Sequence, residues 1–88
     1  MRATEMLADH VNEGNFNGVT VRKGTVGAFI VNARILVNPT STAQEKTSAL
    51  NDIEDALPAL EALGLFEILE VRDPYIRSFI DDRLHKAV

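Results

Sequence analysis

The chain has 88 residues, of which 45% are hydrophobic and 25% charged, so it is expected to fold as one small domain with a modest core. The absence of cysteine excludes disulfides, thiol catalysis and cysteine-based zinc sites, and it favours a reducing, cytoplasmic setting. The net charge of -4 is concentrated in residues 35–71, where seven acidic residues accompany one basic residue, Lys46, and this argues against nucleic-acid binding as the main function.

Targeting and membrane segments are not expected. Glu5 and Asp9 stand where a signal peptide would have an apolar run. The most apolar segment, 27–37, is too short to span a bilayer and is interrupted by Asn32 and Arg34. We therefore expect a cytoplasmic protein without a membrane partner.

The first predicted element is a short amphipathic helix that ends at Gly14. Its apolar face consists of Ala3, Met6, Leu7, His10 and Val11. Residues 12–18 are dense in turn-forming residues, and Phe16 within them is expected to anchor this loop on the core. Alternating β-prone residues then predict a short strand at 18–22.

The segment 25–37 is predicted to be a buried helix at the centre of the fold. Its predicted buried face, at helical spacing, consists of Val26, Phe29, Ile30, Ala33, Leu36 and Val37. Apolar residues also extend onto the flanks at Val31 and Ile35. They also alternate as in a strand, but the pattern is longer than most buried strands. Thr25 is the predicted N-cap, and Asn38 ends the helix because it precedes Pro39.

A second long helix is predicted to begin after Thr42. Thr42 and Glu45 match the capping box, in which the two side chains bind each other's backbone N–H groups. The apolar spacing continues to Gly64, the predicted C-terminal cap. Pro58 lies within it, which predicts a kink or two abutting helices.

Residues 65–71 fit either the end of a helix or a strand, and we favour a strand paired with 18–22. Asp73 and Pro74 are typical of a helix start, as N-cap and first helical residue. The apolar face of this last helix consists of Ile76, Phe79, Ile80, Leu84 and Ala87.

The expected fold is a single domain, 1–88, that is mainly α: a compact bundle of about four helices around the buried element 25–37. The two-stranded ribbon of 18–22 with 65–71 makes α+β the alternative class.

The turn formed by Arg22, Lys23, Gly24 and Thr25 is a candidate site for a small anion or phosphate. A helix that begins at Thr25 directs free backbone N–H groups at the turn, and Arg22 and Lys23 add positive charge. The turn lacks the residue order of a nucleotide-binding phosphate loop. A structural turn with two solvated basic residues is the simpler interpretation.

The acidic residues of the second long helix are a candidate docking face for a basic protein partner, because opposite charge steers association. They are Glu45, Asp52, Glu54, Asp55 and Glu61. A solvated helix face is the simpler interpretation.

Apolar residues that exceed the capacity of a small core would meet a second copy of the chain in a symmetric dimer. The candidates are Val31, Ile35, Leu63 and Leu65.

No catalytic, cofactor or metal site is predicted. Asp81, Asp82 and His85 share a helix face that could contact a divalent metal, but one helix supplies too few ligands for a closed site. A surface ion pair with Arg83 or Lys86 is simpler. A general base at His10 or His85 would need a converging carboxylate and a nucleophile, and the sequence has no nucleophile motif.

These observations predict a small, non-catalytic, cytoplasmic interaction or accessory protein. Its partner would be another protein or a second copy of itself. The alternative is a small module that binds an anion or phosphate at residues 22–25.

Overall fold

The structure, a computed structural model of the chain, describes residues 1–85. Within these residues it is mostly helical, with five helices and a two-stranded antiparallel sheet, which confirms the mainly α class with α+β as its alternative. The elements in chain order are α1 (Ala3–Met6), β1 (Glu13–Phe16), β2 (Val19–Arg22), α2 (Thr25–Val37), α3 (Ala43–Leu63), α4 (Leu65–Ile68) and α5 (Pro74–His85).

The centre of the fold is α3 and not the segment 25–37. Helix α3 packs against α2, α4, α5 and both strands. The core cluster consists of Phe29, Ile53, Leu57, Leu60, Ile76 and Ile80. Helix α2 has the predicted bounds, but Phe29 is its one buried side chain. The prediction of a buried central element was therefore wrong, because α2 packs on α3 with one face while its opposite face is open to solvent.

The start and the continuity of α3 follow from identifiable interactions. The backbone N–H of Thr42 donates to Glu45 Oε1 over 2.7 Å, and the N–H of Glu45 donates to Thr42 Oγ1 over 3.1 Å, which confirms the predicted capping box. The helix then continues through Pro58 as a single element instead of dividing there. A proline inside a helix costs about 3 kcal/mol. Burial of Leu57 and Leu60 on either side of it contributes roughly 1.5–3 kcal/mol each, enough to offset that cost.

Strand β2 pairs with β1 and not with residues 65–71, so the predicted ribbon was wrong about its partner. Asn17 and Gly18 connect the strands with φ of 51° and 83°, the two positive values that a type I′ hairpin turn requires. The Asn17 side chain also donates to the carbonyl oxygen of Ala62 over 2.7 Å. This bond fixes the hairpin to the last turn of α3.

Residues 65–68 form the short helix α4. Leu65 and Phe66 both pack on the core cluster, and Phe66 meets Phe29 edge to face with ring centroids 6.0 Å apart. A strand would point two consecutive side chains to opposite faces, whereas a helical turn lets both reach the same core. Gly64, in the left-handed conformation at φ 82°, ends α3 as predicted and redirects the chain into α4.

The predicted first helix is shorter than expected. Helix α1 ends at Met6, Gly14 lies in β1, and His10 is exposed in a turn instead of on an apolar helix face. The N-cap of α2 is Gly24 and not Thr25, which is the first helical residue. The Thr25 hydroxyl donates to the carbonyl oxygen of Arg22 over 2.7 Å.

The last helix begins as predicted. Asp73 Oδ1 accepts a hydrogen bond of 3.0 Å from the N–H of Ile76, and Pro74 is the first helical residue. The predicted roles of Lys86 and Ala87 lie outside the described residues.

The molecule is flat and exposes more surface than its mass requires. Its principal extents are 37 × 32 × 19 Å. The accessible surface is 6509 Å², whereas a folded monomer of 9.7 kDa is expected to expose about 5,100 Å². The difference of about 1,400 Å² includes exposed large hydrophobic residues on α2, α4 and the turn after α4.

Candidate functional site

The predicted anion site lies at the mouth of a cavity of about 490 Å³ formed by α1, the hairpin and the first turn of α2. Arg22, Lys23, Gly24 and Thr25 all line it. The rest of the wall is mostly apolar, and its residues are Ala3, Thr4, Met6, Leu7, Asp9, Phe16, Val21, Val26, Gly27 and Leu63. The structure therefore brings the four predicted residues together beside an apolar space.

Two of the four residues already have structural hydrogen bonds. The Lys23 ammonium donates to the carbonyl oxygens of Ala8 and Asp9, over 2.7 and 3.0 Å. The Thr25 hydroxyl donates to Arg22, as described above. The donors that remain for an anion are the third N–H of the Lys23 ammonium, the Arg22 guanidinium and the first backbone N–H groups of α2.

The five predicted docking carboxylates do not form one face. At 3.6 residues per turn, Glu45, Asp52 and Asp55 lie on one flank of α3, while Glu54 and Glu61 lie on the other. The neighbours of α3 agree with this division. Glu45 and Asp52 line a groove shared with α2, and Glu54 binds α5.

The groove between α2 and the first half of α3 has a volume of about 370 Å³ and an acidic lining. Its two charged residues are Glu45 and Asp52. The other lining residues are neutral: Asn32, Ile35, Thr42, Gln44, Ser48 and Ala49. Asp52 forms no ion pair with any residue in 1–85, and the same is true of Asp55 just outside the groove. The groove therefore presents uncompensated negative charge beside an apolar floor.

The hydrogen bonds of the capping box keep Glu45 charged. The Thr42 backbone N–H and then its hydroxyl hold the pKa of Glu45 below its ordinary value. Its Oε1 accepts from Thr42, which leaves Oε2 for a ligand in the groove.

The second acidic flank has a different role. Glu54 Oε2 accepts a bond of 3.0 Å from Arg83 Nε, and the same guanidinium lies 4.4 Å from the centre of the Phe79 ring. Hydrogen bonding to Glu54 raises the pKa of Arg83 above its ordinary value. Glu54 thus joins α3 to α5 and is not free for a partner, while Glu61 is exposed and has no ion pair within 1–85.

An apolar surface on the outer side of α2 was only partly expected from the sequence. Val31 was predicted to be in excess of the core, and it is 59% exposed. Ile30 and Val37, each 52% exposed, were assigned to the buried face. Leu69, 58% exposed, borders Ile30 in a groove between α2 and α4. We call Gly27, Ile30, Val31, Arg34 and Val37 the outer face of α2.

The residues weighed for metal or acid–base chemistry lie on open surface. His10 and His85 are exposed, and Asp82 forms the expected surface ion pair with Arg83 at 3.1 Å. Across residues 1–85 no three histidine, aspartate or glutamate residues are grouped closely enough to hold a metal ion.

In the part of the chain that the structure describes, no helix has the length and apolar content needed to cross a membrane.

Comparisons of the chain with protein-family models, with curated proteins and with solved structures found nothing that matches it.

Proposed function

We propose that the chain is a small, non-catalytic, cytoplasmic interaction protein that binds a basic segment of a partner protein in the groove between α2 and α3. The observation that carries this proposal is the pair of carboxylates in that groove, Glu45 and Asp52, which no cation of residues 1–85 neutralises. Asp55 adds a third negative charge three residues from Asp52 on the same helix.

Like charges at this spacing destabilise a helix by a few tenths of a kcal/mol. A lysine or arginine of a partner would remove this repulsion and bind the free carboxylate oxygens. The apolar floor at Ile35 and Ala49 would accept the methylene stem of the same side chain. The groove therefore suits a long, positively charged side chain better than a small cation.

The test measures binding of a fluorescently labelled octa-arginine peptide by anisotropy at several salt concentrations. Asp52→Asn removes one of the two groove charges, and Glu61→Gln removes one exposed charge from the other flank of α3. Exposed ion pairs are worth about 0.2–1 kcal/mol, so Asp52→Asn should weaken binding by up to roughly fivefold, while Glu61→Gln leaves it nearly unchanged. Equal weakening by both variants would mean that the peptide responds only to net charge, and the groove would be ruled out.

The alternative function is an anion-binding module at residues 22–25. The cavity beside that turn supports it, whereas the structural hydrogen bonds of Lys23 and Thr25 leave fewer groups to bind an anion. Titration with phosphate and with nucleotides, followed by NMR at the amides of residues 22–28, tests this alternative. Unchanged resonances in that segment would remove it.

A further inference from the structure

We propose that a second copy of this chain packs antiparallel against the outer face of α2, forming a dimer with two-fold symmetry. This goes beyond the groove proposed above, because it uses residues of α2 that do not line that groove. Three observations carry it: the surface that the chain leaves exposed, the residue spacing on this face, and its charge.

The chain leaves a larger surface exposed than its mass requires, and part of it lies on the outer face of α2. The chain exposes about 1,400 Å² more than a folded monomer of its mass is expected to expose. A stable interface of standard size buries about 800 Å² on each partner. The surplus belongs to the whole chain, and the half-exposed side chains of Ile30, Val31 and Val37 contribute to it.

The spacing on the outer face makes it complementary to itself. Gly27, Ile30, Arg34 and Val37 follow each other at intervals of three, four and three residues, the spacing of a packed helix pair. In an antiparallel pair centred on Asn32, Gly27 of each copy lies opposite Val37 of the other, and Ile30 lies opposite Arg34. A small residue then faces a larger one, and an isoleucine faces the apolar stem of an arginine.

Gly27 borders the cavity between α1, the hairpin and α2, but packing within the single chain does not require a glycine there. A Cβ atom added there would meet nothing within 4 Å, and the residue has ordinary helical conformation. Glycine is among the least favourable residues inside a helix. Close approach of a second helix accounts for it, because the missing side chain leaves room for the opposing Val37.

The charge of this face also suits a second copy. The chain has a net charge of -4, so two copies repel each other over most of their surface. Helix α2 contains no acidic residue, and its one charged residue is Arg34. Because Ile30 and Glu70 border the same groove, Arg34 of one copy would lie near Glu70 of the other. Glu70 uses Oε1 to bind Arg77, which leaves Oε2 for this contact.

Light scattering on a sizing column tests the dimer, with loading concentrations from about 1 µM to about 1 mM, a range that includes weak interfaces of standard size. We expect the mass of the unmodified chain to rise from 9.7 kDa toward twice that value. The variant Gly27→Leu should remain monomeric throughout, because its new side chain occupies the position of the opposing Val37. Circular dichroism should show unchanged helical content, since a Cβ at this position meets open space within the chain.

Asn51→Leu, which adds the same apolar side chain at an exposed position of α3, is the matched control and should dimerise as the unmodified chain does. A monomer at every concentration overturns the proposal, and so does a Gly27→Leu variant that dimerises normally. Orientation is tested separately, since the chain has no cysteine of its own. A mixture of Gly27→Cys and Val37→Cys chains should form mixed disulfides, whereas disulfides between two Gly27→Cys chains would overturn the antiparallel arrangement.

Discussion

Replacing Pro58 by alanine should stabilise the protein. Pro58 is exposed on α3, 15 residues after the first residue of the helix and five before the last, so it lies inside the helix and outside its first turn. Its nitrogen carries no hydrogen, so the carbonyl of Glu54 lacks the i+4 donor that an ordinary helix supplies, and the ring crowds that carbonyl. Alanine at this position restores the hydrogen bond and removes no buried contact.

The size of the effect is the difference between two opposing changes. Alanine in a helix interior is about 3 kcal/mol more favourable than proline. Proline also restricts the unfolded chain, and its removal returns roughly 0.4–1 kcal/mol of that advantage. The net gain is about 2 kcal/mol in the free energy of unfolding. For a domain of this size, that corresponds to a rise in Tm of roughly 8–16 °C.

Thermal melts followed by circular dichroism, with urea unfolding at 25 °C, measure this gain. Ser48→Ala, at another exposed position of α3, is the control and should change the free energy of unfolding by no more than about 0.5 kcal/mol. A Tm for Pro58→Ala that is unchanged or lower would refute the reasoning. It would show that the packing of Leu57 and Leu60 depends on the helix geometry that proline imposes.

Three further substitutions test other parts of the structure. Glu45→Gln should lower Tm at pH 7 but not in strong acid. Folding lowers the pKa of this carboxyl, so its charged form stabilises the folded state above the ordinary pKa, and this stabilisation is lost as pH falls through the lowered value. A difference in Tm between variant and unmodified chain that persists at low pH would contradict this. Asn17→Gly keeps the positive φ but removes the bond to Ala62, which should cost about 1 kcal/mol in urea unfolding, and no loss would show that the bond is not formed in solution. Ile53→Ala should cost about 2–5 kcal/mol by the same measurement, since Ile53 is fully buried at the centre of the core, and a loss below about 1 kcal/mol would mean that α3 is not that centre.

The elements that could be predicted are those with local signals. The capping box at Thr42 and Glu45, the proline that follows Asn38 and the glycine at position 64 each act within a few residues, so the bounds of α2 and α3 follow from the sequence. The hairpin has an equally local signal, the Asn17 and Gly18 pair, which is typical of a type I′ turn and was interpreted only as loop. The partner of strand β2 was therefore predicted at residues 65–71, whereas β2 pairs with β1.

Burial was harder to predict than secondary structure. Helical spacing shows that Ile30 and Phe29 can both belong to apolar surface, but it does not show which side another element covers. Helix α3 covers the side of Phe29, and the other side stays open. The adjacent residues Leu65 and Phe66 both pack on the same core, and a helical turn allows this where a strand does not. The choice between helix and strand at this position therefore depends on tertiary contacts.

The division of the acidic residues into two flanks could have been worked out from the sequence. Their numbers, taken at 3.6 residues per turn, already separate Asp52 from Glu54 and Glu61. The ion pair between Glu54 and Arg83 could not, because the two residues are 29 positions apart and meet only through the packing of α3 on α5.

The central position of α3 also determines which parts of the molecule unfold together. Both strands and the three other helices that follow α1 pack on α3, so each of them loses core contacts once α3 unfolds. Backbone amides near Ile53 and Leu60 should therefore exchange with solvent only through global unfolding, as one cooperative unit. Helix α1 has no buried residue, and its amides should exchange by local fraying long before the rest. The chain thus behaves as one cooperative body with an N-terminal arm that opens independently.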